Sequence, residues 1–221
     1  MKVLALDTFS GISGDMFLGL MVDLGVDLLE IEAQLAKLSV TGYTLGQTRE
    51  KRSGIEGAKV HVDLSGGQPS RNWADIDAML AASPLAPQVR DLSRRIFRRV
   101  GEAEAAVHGT VLERVHFHEV GAVDSIVDVV GSAVALSLLA PERVFSTPLP
   151  LSRGRVETAH GSLPLPAPAT LEILKGCPVT EGGSDKELVT PTGAAIVAEI
   201  ALFEPLPEMI LTRLGYGGGT R

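Results

Sequence analysis

The sequence predicts an α+β fold, a mixed β-sheet layered with helices of which one is highly apolar and buried. Three observations carry that expectation. Val3-Leu4-Ala5-Leu6 is an apolar run of strand length near the head of the chain. Residues 43–51 and 55–64 are extended stretches joined by Arg52-Ser53-Gly54, the pattern of a hairpin. Residues 126–139 carry Ile126, Val127, Val129, Val130, Ala133, Val134, Leu136, Leu138 and Leu139 with almost no polar face, a composition that belongs inside a core.

In chain order, residues 2–7 form a first buried strand, and Thr8-Phe9-Ser10-Gly11-Ile12-Ser13-Gly14 is a glycine-punctuated loop. A helix from about Asp15 ends at Gly25. Asp27 then occupies the N-cap of a helix over 28–38, where Leu28, Ile31, Leu35 and Leu38 recur at helical spacing. After the hairpin comes a loop over 65–70, then helices Trp73–Ala82 and Pro87–His108. Residues 114–120 read as extended, Gly121 interrupts them, and Asp124 reads as the N-cap of the apolar helix. Thr147-Pro148-Leu149-Pro150 and Leu163-Pro164-Leu165-Pro166-Ala167-Pro168 are apolar as well as proline-rich, which predicts packed extended segments. Pro168 or Ala169 opens a helix toward Gly176, and Thr190-Pro191-Thr192-Gly193 opens one over 194–203. The organisation expected is one α+β domain over 1–214 without a clean internal boundary, then a glycine-rich segment over 215–221. That segment reads as a close-approach ligand loop or a severed linker, and a chain stopping there reads as truncated.

The chain has 221 residues, 45% of them hydrophobic, enough for one sizeable core. Its net charge of −7 and 4% aromatic content argue against a nucleic-acid surface. Cys177 is the single cysteine, so no intrachain disulfide can form, and it is expected to act as a small hydrophobe. No signal peptide precedes the first strand, and no apolar run reaches the roughly 20 residues of a membrane span, so a cytoplasmic protein without membrane partners is expected. The paired arginines Arg94/Arg98 and Arg95/Arg99 could present guanidinium forks to an anion, but a solvated basic face is the favoured reading, with Glu102 and Glu104 at hand for local pairing.

The most informative stretch is Val115-His116-Phe117-His118-Glu119-Val120-Gly121-Ala122-Val123-Asp124-Ser125-Ile126-Val127-Asp128. In an extended segment His116 and His118 project from one face, as a single metal ion would require. Asp128 follows Asp124 by one helical turn, inside a helix with no polar face, where a lone carboxylate needs a cation, hydrogen bonds or a proton. The competing reading makes Asp124 only a cap, satisfies Asp128 with amides and leaves both histidines as core residues. His108, at a helix C-terminus beside Gly109, and His160, in the loop Ala159-His160-Gly161, are further candidate ligands or proton carriers.

Anion chemistry has its own candidates. Ser10, Gly11, Ser13, Gly14 and Asp15 follow a strand and precede a helix, so their amides could form a phosphate nest, with Asp15 favouring a metal-bridged phosphate. Thr190, Thr192 and Gly193 open another helix, although capping alone would explain them. The loop is not a Walker motif, since no Gly-Lys-Ser/Thr follows.

Five blocks in order, Asp7-Thr8-Phe9-Ser10-Gly11-Ile12-Ser13-Gly14-Asp15-Met16, the 115–128 stretch, Ala159-His160-Gly161, Thr190-Pro191-Thr192-Gly193-Ala194-Ala195 and Gly215-Tyr216-Gly217, resemble the nickel-insertion (LarC) family. The resemblance runs nearly end to end and covers the N-terminal portion of such proteins. It implies insertion of Ni(II) into pyridinium-3,5-bisthiocarboxylic acid mononucleotide, with consumption of CTP and Mg or Mn, to form the nickel-pincer cofactor of lactate racemase. It also implies a C-terminal module that binds metal and CTP and is absent here. On that reading His116, His118, Asp124, Asp128 and His108 are candidate metal ligands. Glu119 and His160 are candidate bases for the ring proton, and the Ser10–Asp15 and Thr190–Gly193 loops are candidates for the nucleotide. A homo-oligomer is compatible. Two other classes stay open: a passive nickel carrier, and an actin-like phosphotransferase using Asp7-Thr8-Phe9-Ser10-Gly11 as its phosphate loop.

Overall fold

The computed structural model describes residues 1–66, 71–117, 121–158 and 161–219. Its class is α+β. Strand β1 is Val3–Leu6, and helix α1 is Gly14–Asp23, with Ser13 as its N-cap. Helix α2 is Leu28–Leu35, and the Asp27 carboxylate accepts the Leu29 N–H at 2.9 Å as the sequence predicts. This helix stops three residues short of the expected end. Lys37 and Leu38 donate to Gln34 and Leu35, three residues back, so the last turn tightens while Leu38 stays buried. Strands β2 (Tyr43–Arg52) and β3 (Ile55–Leu64) form the expected hairpin. Its turn places Ser53 and Gly54 both at positive φ, the twist that two-residue hairpins favour.

Helices α3 (Trp73–Ala82) and α4 (Pro87–His108) have the predicted bounds. A reciprocal capping box between Asn72 and Asp75 fixes the start of α3. Pro87 opens α4, and Gly109 closes it in the left-handed conformation. The chain then passes through a 3₁₀ turn, Leu112–Arg114, to helix α5, Val123–Leu139. Beyond it come β4 (Arg143–Ser146), β5 (Leu149–Leu151), β6 (Gly154–Thr158), β7 (Gly161–Leu165), helix α6 (Pro168–Ile173), β8 (Val179–Glu181) and helix α7 (Pro191–Ile200). The proline-rich segments are thus ordered strands, as expected.

Three expectations are corrected. The segment over 114–120 is not a strand where it is described: Leu112–Arg114 is helical and His116 makes one isolated bridge to Asn72. Asp124 is not the N-cap of α5. The helix starts one residue earlier, Ala122 caps it without a side-chain bond, and the Asp124 carboxylate accepts the Ser125 N–H inside the first turn. Helix α7 begins at Pro191 and ends at Ile200, because Thr190 caps it by accepting the Gly193 N–H at 3.2 Å.

Among the described residues the strands form two-stranded pairs: β1 with β4 and β5 with β8 are parallel, β2 with β3 and β6 with β7 antiparallel. β1 is half-exposed, Leu4 and Leu6 pointing inward and Ala5 outward. Helix α5 is the centre of the core. Val123, Ile126, Val127, Val129, Val130, Ala133, Val134 and Ala135 are all buried, and α1, α2, α4 and α7 pack around them. Each fully buried aliphatic side chain of this kind contributes about 1.5–3 kcal/mol. The α4 arginines are paired mostly across helices: Arg94 makes a two-pronged contact with Asp77, Arg95 and Arg99 share Glu199, while Arg98 and Arg90 pair locally, with Glu102 and Asp91. They are committed to the fold. Cys177 packs against the core as a small hydrophobe.

Ile126→Ala is expected to lower unfolding stability by about 2–5 kcal/mol, the cost of a large cavity in the core, as read by urea denaturation.

Candidate functional site

Helices α1, α5 and α7 bring their first turns to one cleft of about 1510 Å³. The convergence is built locally. In the loop before α1, Gly11 donates to Thr8 O and Ile12 to Leu188 O, while Thr190 donates back to Ile12 O, which ties the start of α1 to the start of α7. Gly193 packs so tightly on this loop that an added Cβ would lie 2.3 Å from Ile12 O. Gly14 plays the same part toward α5, for a Cβ there would lie 2.5 Å from the Asp128 side chain. Three positive helix ends therefore face a common space.

Onto that positive ground the chain places carboxylates. Asp15, Asp124 and Asp128 all line the cleft, with Ser10, Ser13, Ser125, Thr190 and Thr192 among them. Asp15 accepts the Met16 N–H at 3.0 Å and a hydrogen bond from Ser13 Oγ. Asp128 is partly buried at the cleft floor, and no hydrogen bond or ion pair from the described residues reaches it. Burial first, then repulsion from Asp15 and Asp124, pushes its carboxyl well above the usual carboxylate range. A cation entering the cleft would relieve that repulsion.

β3 and the C-terminal strap also line the cleft. Ala58 donates to Tyr216 O and accepts from Gly218 N, so the strap makes one isolated parallel bridge to β3. An added Cβ at Gly217 would fall 1.9 Å from Met16 O, which explains why glycines occupy this run. The described part of 215–221 packs closely against α1 and β3. Asp23 pins it by accepting the Tyr216 N–H at 2.8 Å while pairing with Arg49.

The sequence-predicted residues are thus partly brought together. Ser10, Gly11, Ser13, Asp15, Asp124, Asp128, Thr190 and Thr192 line one cleft. Gly14 and Gly193 shape it from behind. His116 is exposed and bridged to Asn72, outside the cleft lining, and His108 sits at the end of α4 with its Nε2 3.2 Å from Glu104 Oε2. His118, Glu119 and His160 lie outside the described residues. Among the described residues no three His, Cys, Asp or Glu side chains are arranged to hold a metal ion. The 10–15 loop is a poor nest for a bare phosphate, since two of its amides are spent on carbonyls and three carboxylates crowd it. Sequence reasoning missed Lys59, a buried lysine in this cleft; its only sequence signal is a cation inside Gly57-Ala58-Lys59-Val60, otherwise small and apolar.

No helix among the described residues is long and apolar enough to cross a membrane.

Residues 4–221 match the model of a family described as nickel insertion protein. A relative from Syntrophotalea carbinolica, named for nickel insertion, is 60% identical over 221 residues, covering 100% of this chain and 56% of that protein. Another from Thermomicrobium roseum is 52% identical over 224 residues, covering 100% of this chain and 55% of its own. A protein of Desulfitobacterium hafniense named pyridinium-3,5-bisthiocarboxylic acid mononucleotide nickel insertion protein is 47% identical over 222 residues, 100% of this chain and 55% of that one. The chain spans a little over half the length of these curated relatives. No solved structure matches it.

Because the folded Asp128 pKa is raised, the native state binds a proton more tightly than the unfolded chain. Its contribution is fully present below the ordinary value of 3.8 and is lost as pH rises through the folded value. Asp128→Asn is therefore expected to stabilise the chain at neutral pH and progressively less toward pH 4, as read by thermal melting at several pH values.

Proposed function

The chain belongs to the nickel insertion protein family, and on that premise we propose that its cleft brings nickel together with pyridinium-3,5-bisthiocarboxylic acid mononucleotide. The observation that carries the proposal is the crowding of Asp15, Asp124 and Asp128 where the first turns of α1, α5 and α7 meet, with no hydrogen bond reaching Asp128 from the described residues. Helix ends alone would select an anion. Adding three carboxylates over them makes a surface that gains most from a cation, which is the charge of a divalent nickel ion.

Oxygen ligands on this surface suit a transfer role. Carboxylates hold a borderline ion such as Ni(II) less firmly than sulfur does, so an ion resting at Asp124 and Asp128 would pass downhill to the thiocarboxylates of the bound mononucleotide. The chain contributes no thiolate of its own at the cleft, since Cys177 packs elsewhere. Forming a carbon–nickel bond, as the family resemblance implies, releases a ring proton. Glu119 and His160, both outside the described residues, remain the proposed acceptors, and His116 with His118 the proposed relay that feeds the ion to the cleft. CTP consumption with Mg or Mn, and delivery of the finished cofactor to lactate racemase, belong by the same proposal to the full family length and its C-terminal module. The cytoplasm is the proposed compartment.

The reading is tested by following nickel transfer spectroscopically when the chain, nickel and the mononucleotide are mixed. Asp124→Asn/Asp128→Asn is expected to slow appearance of the nickel–sulfur absorption at least about tenfold, the worth of one lost charge-assisted contact. His116→Ala/His118→Ala should slow loading from dilute nickel while leaving transfer from saturating nickel intact. Unchanged transfer in the aspartate variant would remove the cleft from the reaction.

A further inference from the structure

Lys59 is the one charged side chain among the buried described residues, at 8% exposure. A buried ammonium costs several kcal/mol unless it is paired, so its surroundings are informative. The nearest carboxylate oxygen, Glu50 Oε1, lies 3.7 Å from Nζ, beyond hydrogen-bonding distance, and the Glu50 side chain is itself 33% exposed. No other ion pair reaches Lys59 among the described residues. The side chain lines the same cleft as Asp15, Asp124 and Asp128.

The glycine strap adds to this. Gly218 donates its N–H to Ala58 O, and an ideal Cβ on Gly218 would lie 3.5 Å from the Lys59 Cβ. Strand alternation turns the Gly217 and Gly219 amides away from that ladder. Gly219 in turn approaches Ser13, its ideal Cβ 3.9 Å from Oγ. A buried cation and amides not spent on the ladder thus lie together in the cleft that also holds the carboxylates.

We propose that Lys59, with the Gly217–Gly219 strap, is the anchor for the 5′-phosphate of the mononucleotide. The inference rests on the proposed nickel insertion and adds the orientation of its substrate. The mononucleotide carries a dianionic phosphate at one end and two anionic thiocarboxylates on its pyridinium ring at the other, and Lys59 is the buried cation that meets the phosphate, while a nickel ion held by the carboxylates meets the thiocarboxylates. The phosphate seats on Lys59, the ring turns toward Asp15, Asp124 and Asp128, and the thiocarboxylates meet the ion there.

The test compares the mononucleotide with its dephosphorylated nucleoside by calorimetric titration of the full chain, in wild type, Lys59→Met, Lys59→Arg and Glu50→Gln. Wild type is expected to prefer the mononucleotide by about ten- to a hundredfold, the worth of one charge-assisted hydrogen bond. Lys59→Met should erase that preference with nucleoside affinity unchanged, Lys59→Arg should keep part of it, and Glu50→Gln should strengthen it by removing the competing carboxylate. Inorganic phosphate should compete with the mononucleotide in wild type only. A Lys59→Met chain that keeps the preference, or that weakens both ligands alike, overturns the assignment. Should Lys59→Met fail to fold, as read by thermal melting, a Glu50→Gln chain with no gain in preference overturns it equally. Absence of any binding by wild type is a different result: it removes the proposed function, and the phosphate anchor falls with it.

Discussion

The contact between Gly14 and the Asp128 side chain is the constraint on which the rest of the structure turns. Helix α5 is buried on nearly every side, so wherever its first turn lies, the core follows. Helix α1 can approach that turn only because its own first residue has no side chain. The loop ahead of α1 is knitted to residues 188–190, which draws α7 to the same point. Missing Cβ atoms at Gly14 and Gly193 therefore hold three helix ends together. The one at Gly14 also seals a carboxylate beneath α1, away from any hydrogen-bonding partner among the described residues.

Charge in this molecule is sorted by neighbourhood more than by composition. The most basic segment, α4, is neutralised by Asp77, Glu102 and Glu199 and offers little free cationic surface. A single lysine held loosely inside the hairpin matters more, because low surrounding polarity magnifies whatever charge meets it. Carboxylates gathered over helix N-termini are tolerated for the complementary reason, since aligned peptide dipoles offset part of their repulsion.

Much of this was legible in the sequence because it is encoded locally. Asp27, Asn72 with Asp75, Pro87 and Gly109 each sit at the helix boundary that their chemistry predicts, and Ser53-Gly54 sets the hairpin turn. The clustering of Ser10–Asp15, Asp124, Asp128 and Thr190–Thr192 was legible only as separate fragments, since nothing local says that three helices converge. Asp124 was misread as a cap because it looks like one; Ala122 starts the helix instead, held by packing of the buried Val123 behind it. Lys59 was invisible for a similar reason. A lysine in a hairpin strand reads as solvent-facing until a strap from far along the chain closes over that strand. The two-stranded pairing of β1 with β4 likewise depends on partners some 140 residues apart, beyond the reach of periodicity.

The two walls of the cleft differ in how firmly they are held. The helix wall is continuous with the core, while β2 lies largely exposed and reaches the rest of the molecule through β3, a few ion pairs and the pinned strap. Amides in α5 should exchange with solvent only when the whole molecule opens, whereas those of β2 should exchange through small local fluctuations of far lower free energy. The helix side of the cleft is thus its rigid part and β2 its compliant one. A ligand seated there meets its firmest contacts where the cleft is continuous with the core.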